Sequence, residues 1–285
     1  MKDGKELIVN FSGGKDSTAM LHLLLEHGEK VDEVIYFDGG WEFPQMADHV
    51  ALVEEKTGIK ITRLTPEKGD FDYYATQHEH WSRNKKWLKG YGWAGSMSRW
   101  CTRLKTQAME RHLKGRNVIQ CIGYAVGEER RLLKGWNRVY TPDKFRFPLI
   151  EDYNFDEKEC LFYCYKLGYT WGGLYDWFDR VSCFCCPLQG KHDCLMLKRH
   201  FPELWQAIKE KCERFIRECG GLRASPQNWR NEKGFNETDI RLRGKDEDWD
   251  IESWFERMNV KQAEIQIEPI DNSPTLFDDE DIDND

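Results

Sequence analysis

The heptapeptide Ser12-Gly13-Gly14-Lys15-Asp16-Ser17-Thr18 limits what this chain can be more than any other feature. It follows a short apolar run, Glu6–Phe11 (ELIVNF), and precedes Thr18–His27 (TAMLHLLLEH), whose apolar residues recur at helical spacing up to Gly28. The order reads as strand, tight loop, helix. Two adjacent glycines let a backbone turn sharply and approach an anion, and the following helix offers unpaired N–H groups at the positive end of its dipole. Lys15 adds a charge, and the hydroxyls of Ser12 and Ser17 add donors, so a pyrophosphate group suits the loop. The spacing is neither Gly-x-x-x-x-Gly-Lys nor Gly-x-Gly-x-x-Gly. The plainer alternative is a Gly-Gly turn beside a surface lysine.

Further strand and helix patterns alternate after it. Strands are expected at Glu33–Phe37, Ile59–Leu64 and Asn117–Gly123, with helices from about Pro44 to Thr57, where Gly58 stops the pattern, and at about Leu104–Leu113. Such alternation implies an α/β fold built on a parallel, doubly wound sheet covered on both faces. Residues 1–150 are read as this α/β domain. An insertion at about 67–100 interrupts it with Tyr73, Tyr74, Trp81, Trp87, Tyr91 and Trp93 among several glycines. Residues 151–225 read as a helical, cysteine-rich part. It opens with an Asp156-x-x-Glu159 capping pair before a helix reaching Leu167, and it contains a further helix from Pro202 to Cys219. Residues 226–285 form an acidic tail, expected to be disordered at its end.

Of the 285 residues 40% are hydrophobic, enough for a core, and no apolar run approaches the roughly 20 residues that span a bilayer. No signal peptide precedes the first strand, so a cytoplasmic location is expected. The net charge of -8 hides a basic middle: residues 81–146 hold 16 Lys and Arg against 4 Asp and Glu. That excess can draw in a nucleotide phosphate or a nucleic acid, or form a solvated face balanced by acidic neighbours. Aromatics interleaved with these cations could stack bases or cap a site. The oligomeric state is left open.

The loop resembles the SGGKDS hallmark of the PP-loop ATP pyrophosphatases, and the chain resembles, within them, the phosphoadenosine phosphosulfate (PAPS) reductase family. That family includes PAPS and APS reductases, the ATP sulfurylase small subunit and DndC-type enzymes. Four more segments carry the likeness: Phe37-Asp38-Gly39-Gly40-Trp41-Glu42-Phe43-Pro44, Arg99-Trp100-Cys101-Thr102-Arg103-Leu104-Lys105, Gly123 to Arg131, and Phe147-Pro148-Leu149-Ile150. In the third, Ala125 replaces an expected Arg and Glu129 an expected Ser. The likeness spans about residues 6–190.

It implies an adenine nucleotide α-hydrolase-like, Rossmann-like fold. The nucleotide would lie on Ser12, Gly13, Gly14, Lys15, Asp16, Ser17, Asp38, Gly39 and Gly123, and the chemistry would fall to Lys15, Asp16, Arg103, Lys105 and Arg131. Asp38 and Gly39 sit at the carboxyl end of the second strand, where open α/β sheets bind ligands. Taken alone, Arg103, Lys105, Arg130 and Arg131 are as readily surface charges as phosphate or sulfate ligands.

Ten cysteines divide by context. Cys121, Cys160, Cys164 and Cys212 read as small buried hydrophobes. Cys183, Cys185 and Cys186 fall within four positions, and Cys194 follows; such density in a long cytosolic chain points to metal ligation. Resemblance to APS reductases implies a [4Fe-4S] cluster on Cys101, Cys183, Cys186 and Cys194, with Cys185 as the alternative fourth ligand, and Zn2+ on the same thiols as the rival. The family pattern doubles the first cysteine, whereas here its neighbour is Trp100.

Three functions stay open. In the first, ATP with Mg2+ is cleaved between its α- and β-phosphates to adenylylate an acceptor for sulfur or sulfate chemistry, with a nucleic acid or a sulfur-carrier protein as partner. In the second, PAPS or APS is reduced to sulfite through Cys219, although the Glu218-Cys219-Gly220 segment lacks the reductases' His. The third is a nucleotide-binding accessory role without turnover.

Overall fold

The computed structural model describes residues 4–81, 87–95, 99–129, 132, 143–186, 189 and 191–219. The acidic tail therefore lies outside the described residues. Strand β1 (Glu6–Phe11) leads into helix α1 (Lys15–Glu26), followed by β2 (Glu33–Phe37), α2 (Gln45–Thr57) and β3 (Ile61–Leu64). The insertion supplies a short helix, α3 (Phe71–Thr76), and a hairpin, β4 (Glu79–Trp81) with β5 (Trp87–Lys89). Helix α4 (Trp100–His112) returns the chain to β6 (Val118–Ile122) and β7 (Phe145–Arg146). Helices α5 (Pro148–Glu151), α6 (Glu157–Lys166), α7 (Lys191–His200) and α8 (Pro202–Glu218) complete the described chain, with a 3-10 turn at Trp171–Asp176.

The main sheet has the order β3-β2-β1-β6-β7, and every pairing is parallel. Val9 is registered against Val34 on one side and Cys121 on the other. The order reverses at β1, so the crevice between the carboxyl ends of β1 and β6 is the switch point at which such sheets bind ligands.

Alternation of side chains decides which helix covers which face. Leu7, Val9 and Phe11 point into the larger core together with Ala19, Met20, Leu23 and Leu24 of α1. Ile8 points the other way and packs with Ile35 and Leu113, against Met109 of α4. Strands buried on both faces account for the unbroken apolar runs ELIVNF and EVIYF. The doubly wound Rossmann-like sheet is thus as expected, and the cysteine-rich C-terminal part is largely helical.

Local signals also hold. Gly58 ends α2 in the left-handed conformation, and Asp156 with Glu159 forms a reciprocal capping box at the start of α6. Helix α4 and strand β7 differ most from expectation. Helix α4 begins at Trp100, not near Leu104, so Cys101, Arg103 and Lys105 lie on its first turns. A fifth strand, β7, was not foreseen; two residues carry too little alternation to read.

The inner residues of the insertion belong to the core. Trp41 packs edge-on against Phe71 at 5.3 Å and lies 5.5 Å from Trp93, which meets Phe215 of α8 at 4.7 Å. Asp72 of α3 pins this arrangement by accepting from Trp41 Nε1 at 2.6 Å, Lys211 Nζ at 2.6 Å and Arg214 at 3.1 Å. One core cluster continues across position 150, joining β1 and α1 to Cys160, Cys164 and Leu174. Among the described residues no helix is long and apolar enough to cross a membrane.

Candidate functional site

The loop between β1 and α1 turns on Gly13, whose φ of 78° favours glycine; a Cβ there would sit 2.5 Å from Met46 Cε. Gly14 caps α1 with extended backbone and takes no side-chain cap of its own. Ser17 Oγ closes the loop internally, accepting from the Ser12 N–H at 3.1 Å and lying 2.9 Å from Ser12 Oγ. Gly123 brings the end of β6 against the same place, since a Cβ would meet the Ser17 backbone at 3.1 Å. The structure therefore brings Ser12, Gly13, Gly14, Lys15, Asp16, Ser17 and Gly123 together at the switch point.

Lys15 is only 5% exposed and is held by two carboxylates, Glu157 at 2.9 Å and Asp16 at 3.2 Å. Burial works to lower its pKa, but the charges of Asp16 and Glu157 outweigh that and hold it above the usual lysine range. Burial raises Asp16 to about 6 against the pull of Lys15, with Glu157 and Glu128 adding repulsion. Asp16 Oδ1 is buried and makes no hydrogen bond, although Lys15 Nζ is near.

Residues beyond the expected nucleotide domain complete the loop. Trp171 Nε1 donates to the Gly13 carbonyl at 2.7 Å, and the Lys15 N–H donates to the Tyr175 hydroxyl at 2.7 Å. Trp171 itself has a φ of 49°, a sparsely populated region for a bulky side chain, and Gly172 and Gly173 follow with positive φ. Sequence reasoning missed Trp171, Tyr175, Glu128 and Glu157. The Trp171-Gly172-Gly173 run was the one available signal, because adjacent glycines mark a special backbone path.

At the end of β2, Asp38 accepts from the Gly40 N–H at 2.8 Å, while Glu42 accepts from Gly39 and Trp41 N–H groups at 3.2 and 2.9 Å. Gly39 is required by Phe71, whose ring would lie 2.3 Å from an added Cβ. Burial, then hydrogen bonding to Asp38, pushes Glu42 up to about 7. Glu42 also forms a backbone bridge with Cys183, and the Phe184 N–H donates to the Trp41 carbonyl, so this turn seats the cysteine segment.

Four thiols share that neighbourhood. Burial raises Cys183 well above the usual thiol value, and the nearby charges of Glu42, Cys185, Cys186 and Cys101 raise it further. Cys185 is raised in the same way, and Cys101 is raised by burial and by Cys186. Lys105, exposed on α4, is near enough to feel them: desolvation lowers its pKa while Cys183 and Glu42 pull it up. Cys194 is buried on α7, and Cys121, Cys160, Cys164 and Cys212 are buried as expected. Among the described residues no three His, Cys, Asp or Glu groups converge as the ligands of one ion.

One expected site residue stands apart, and another is not described. Arg103 is exposed, with its guanidinium 5.3 Å over the Tyr91 ring of the insertion. Arg131 lies outside the described residues, as does Arg130. Cys219 is buried at the end of α8, where its thiol donates to the Lys89 carbonyl at 3.4 Å.

Residues 6–131 match the phosphoadenosine phosphosulfate reductase domain and form a PAPS-reductase-like PP-loop domain. The uncharacterized protein MJ0066 of Methanocaldococcus jannaschii is 28% identical over 231 residues, which are 79% of this chain and 44% of that protein. The chain thus spans less than half the length of that relative. Among solved structures it is similar to the U34-tRNA thiolase NcsA from Methanococcus maripaludis with its 4Fe-4S cluster, at 15% identity and a TM-score of 0.39, covering 75% of this chain and 72% of that one.

Proposed function

We propose that this chain binds ATP at the PP-loop and cleaves it between the α- and β-phosphates, transferring the adenylyl group to an acceptor destined for sulfur or sulfate chemistry. The observation that carries the reading is the intact, buried Lys15 in a glycine loop at the sheet's switch point. An acceptor oxygen attacks the α-phosphorus, the bond to the bridging oxygen breaks, and pyrophosphate leaves with the bonding pair. Catalysis by this chain is electrostatic: Lys15 and the loop N–H groups neutralise the leaving group.

The buried, unbonded Asp16 Oδ1 is a fitting ligand for Mg2+, which when present would share the phosphate charge. Glu157 holds Lys15 charged until a triphosphate competes for it. Trp171 and Tyr175 hold the loop in shape, so the C-terminal part acts on the site through positioning.

The thiols of Cys101, Cys183, Cys186 and either Cys194 or Cys185 have the donor chemistry of a thiolate-bound centre, although among the described residues they do not converge as the ligands of one ion. Buried thiols that repel one another's charge are stabilised as thiolates by a cation. A 4Fe-4S cluster there would supply electrons or an iron open to sulfur, whereas Zn2+ would supply a structural clamp.

The test is product analysis on protein purified without oxygen. AMP transfer with pyrophosphate release, lost on chelation of Mg2+, is expected, along with bound iron and sulfide. Sulfite from PAPS or APS that disappears in Cys219→Ser would replace this reading with a reductase. ATP binding with no pyrophosphate from any acceptor would leave an accessory role.

A further inference from the structure

The buried stripe of α2 consists of Met46, His49, Val50 and Val53, three apolar side chains and one imidazole. His49 is 3% exposed and faces the rings of Phe11, Tyr169 and Trp171, surroundings that a phenyl ring would fill without desolvating a polar group. Its Nδ1 is buried and makes no hydrogen bond. The other ring nitrogen accounts for an imidazole in such a place.

That nitrogen, Nε2, lies 3.0 Å from the hydroxyl of Thr18, which is fully buried on α1. The Thr18 hydroxyl donates its one hydrogen to the Gly14 carbonyl at 3.0 Å, so it accepts from His49, and the ring carries its proton on Nε2. Burial, with repulsion from His22 added, lowers His49 to about 3, so the ring is neutral and its bare Nδ1 strands no donor among the aromatic rings. The face of the same ring stacks on Trp171, with centroids 4.4 Å apart and 27° between the planes. Trp171, in its left-handed backbone conformation, is the donor to the Gly13 carbonyl. His49 therefore touches a side chain that holds each carbonyl of the glycine pair: Thr18 for Gly14 and Trp171 for Gly13. The Ser17 hydroxyl is a further donor to Gly14 at 3.0 Å. A carbonyl that swung toward bound phosphates would repel them, so an anion loop needs both fixed before the ligand arrives.

We propose that His49 is a positioning residue for polyphosphate binding, fixing Thr18 and Trp171 so that neither glycine carbonyl of the PP-loop turns toward the phosphates of ATP. This role rests on ATP binding at the loop, the first half of the proposed function, and does not depend on adenylyl transfer.

The test is calorimetric titration of the full chain with ATP plus Mg2+ and with inorganic pyrophosphate, beside thermal melting without ligand. His49→Phe keeps the stacking and removes the donor. Affinity for both ligands is expected to fall at least about tenfold, while the melting midpoint stays within about 3 °C of wild type. Thr18→Val, which removes the acceptor hydroxyl, is expected to lose a comparable factor. The double variant should lose no more than about twofold beyond the larger single loss, because the two residues act through one hydrogen bond. His49→Gln returns an N–H donor and is expected to recover most of the affinity, whereas His49→Leu removes the stacking as well and is expected to lose more than His49→Phe. Four results would overturn the role while leaving ATP binding in place: equal affinity in wild type and His49→Phe, fully additive losses with Thr18→Val, no recovery in His49→Gln, or a loss in His49→Leu no greater than that in His49→Phe. Wild-type protein that binds neither ATP nor pyrophosphate would remove the loop reading and this role together. ATP binding that depends on His49 without any adenylyl transfer would support the role and remove the adenylylation reading.

Discussion

Lys15 and Asp16 share a buried site that water would otherwise stabilise, and each tunes the other's charge. Asp16 carries a measurable consequence. Its folded pKa, about 6, lies above its ordinary 3.8, so the native state binds more protons than the unfolded chain between those values. The contribution of this group is most favourable below pH 4, falls as pH rises towards 6 and stays low above it, a loss of about 3 kcal/mol at most. Asp16→Asn, without divalent cation, should therefore raise the denaturation midpoint at pH 7.5, with the gain closing as pH falls to 4. An equal gain at both pH values would show that Asp16 is not held in this state. The loop residues were legible because their chemistry and spacing lie within seven consecutive positions. Glu157 was not, because it acts as the partner of Lys15 across 142 positions, and the capping pair around it explained its presence without that role.

Elements place these residues. The β1-loop-α1 unit works because Gly13 takes a path closed to other residues while Gly123 of the neighbouring strand's end crowds the start of α1. Gly13→Ala is expected to cost about 1–3 kcal/mol through the left-handed backbone and the displaced Met46 side chain. Urea unfolding measures that cost, and ATP affinity should fall at least tenfold. A variant of native stability and affinity would remove Gly13 from the account. Short apolar runs made β1, β2 and β6 readable, and a terminal glycine marked the end of α2. The periodic pattern failed for the start of α4, since Thr102, Arg103 and Lys105 there are exposed and interrupt the core periodicity. It failed again for β7, which is held by its pairing with β6 and has little pattern of its own.

At the scale of the molecule, the PAPS-reductase-like segment does not build its own site. Trp171 and Tyr175 clamp the PP-loop, Glu157 holds its lysine, and Cys183 to Cys186 seat against the turn after β2. The sheet and the anion loop could be read from local pattern and resemblance. The clamp could not, because it depends on contacts between residues about 160 positions apart. The same long-range packing brings Cys101 within electrostatic reach of Cys183 and Cys186, which spacing alone left as separate segments. The central claim is reversible adenylylation at Lys15, and ATP–pyrophosphate exchange measures it most directly. Labelled pyrophosphate should enter ATP in the presence of the acceptor and Mg2+, and Lys15→Ala should reduce that exchange at least about a hundredfold. Equal exchange in Lys15→Ala, or release of ADP and orthophosphate without exchange, would contradict the account.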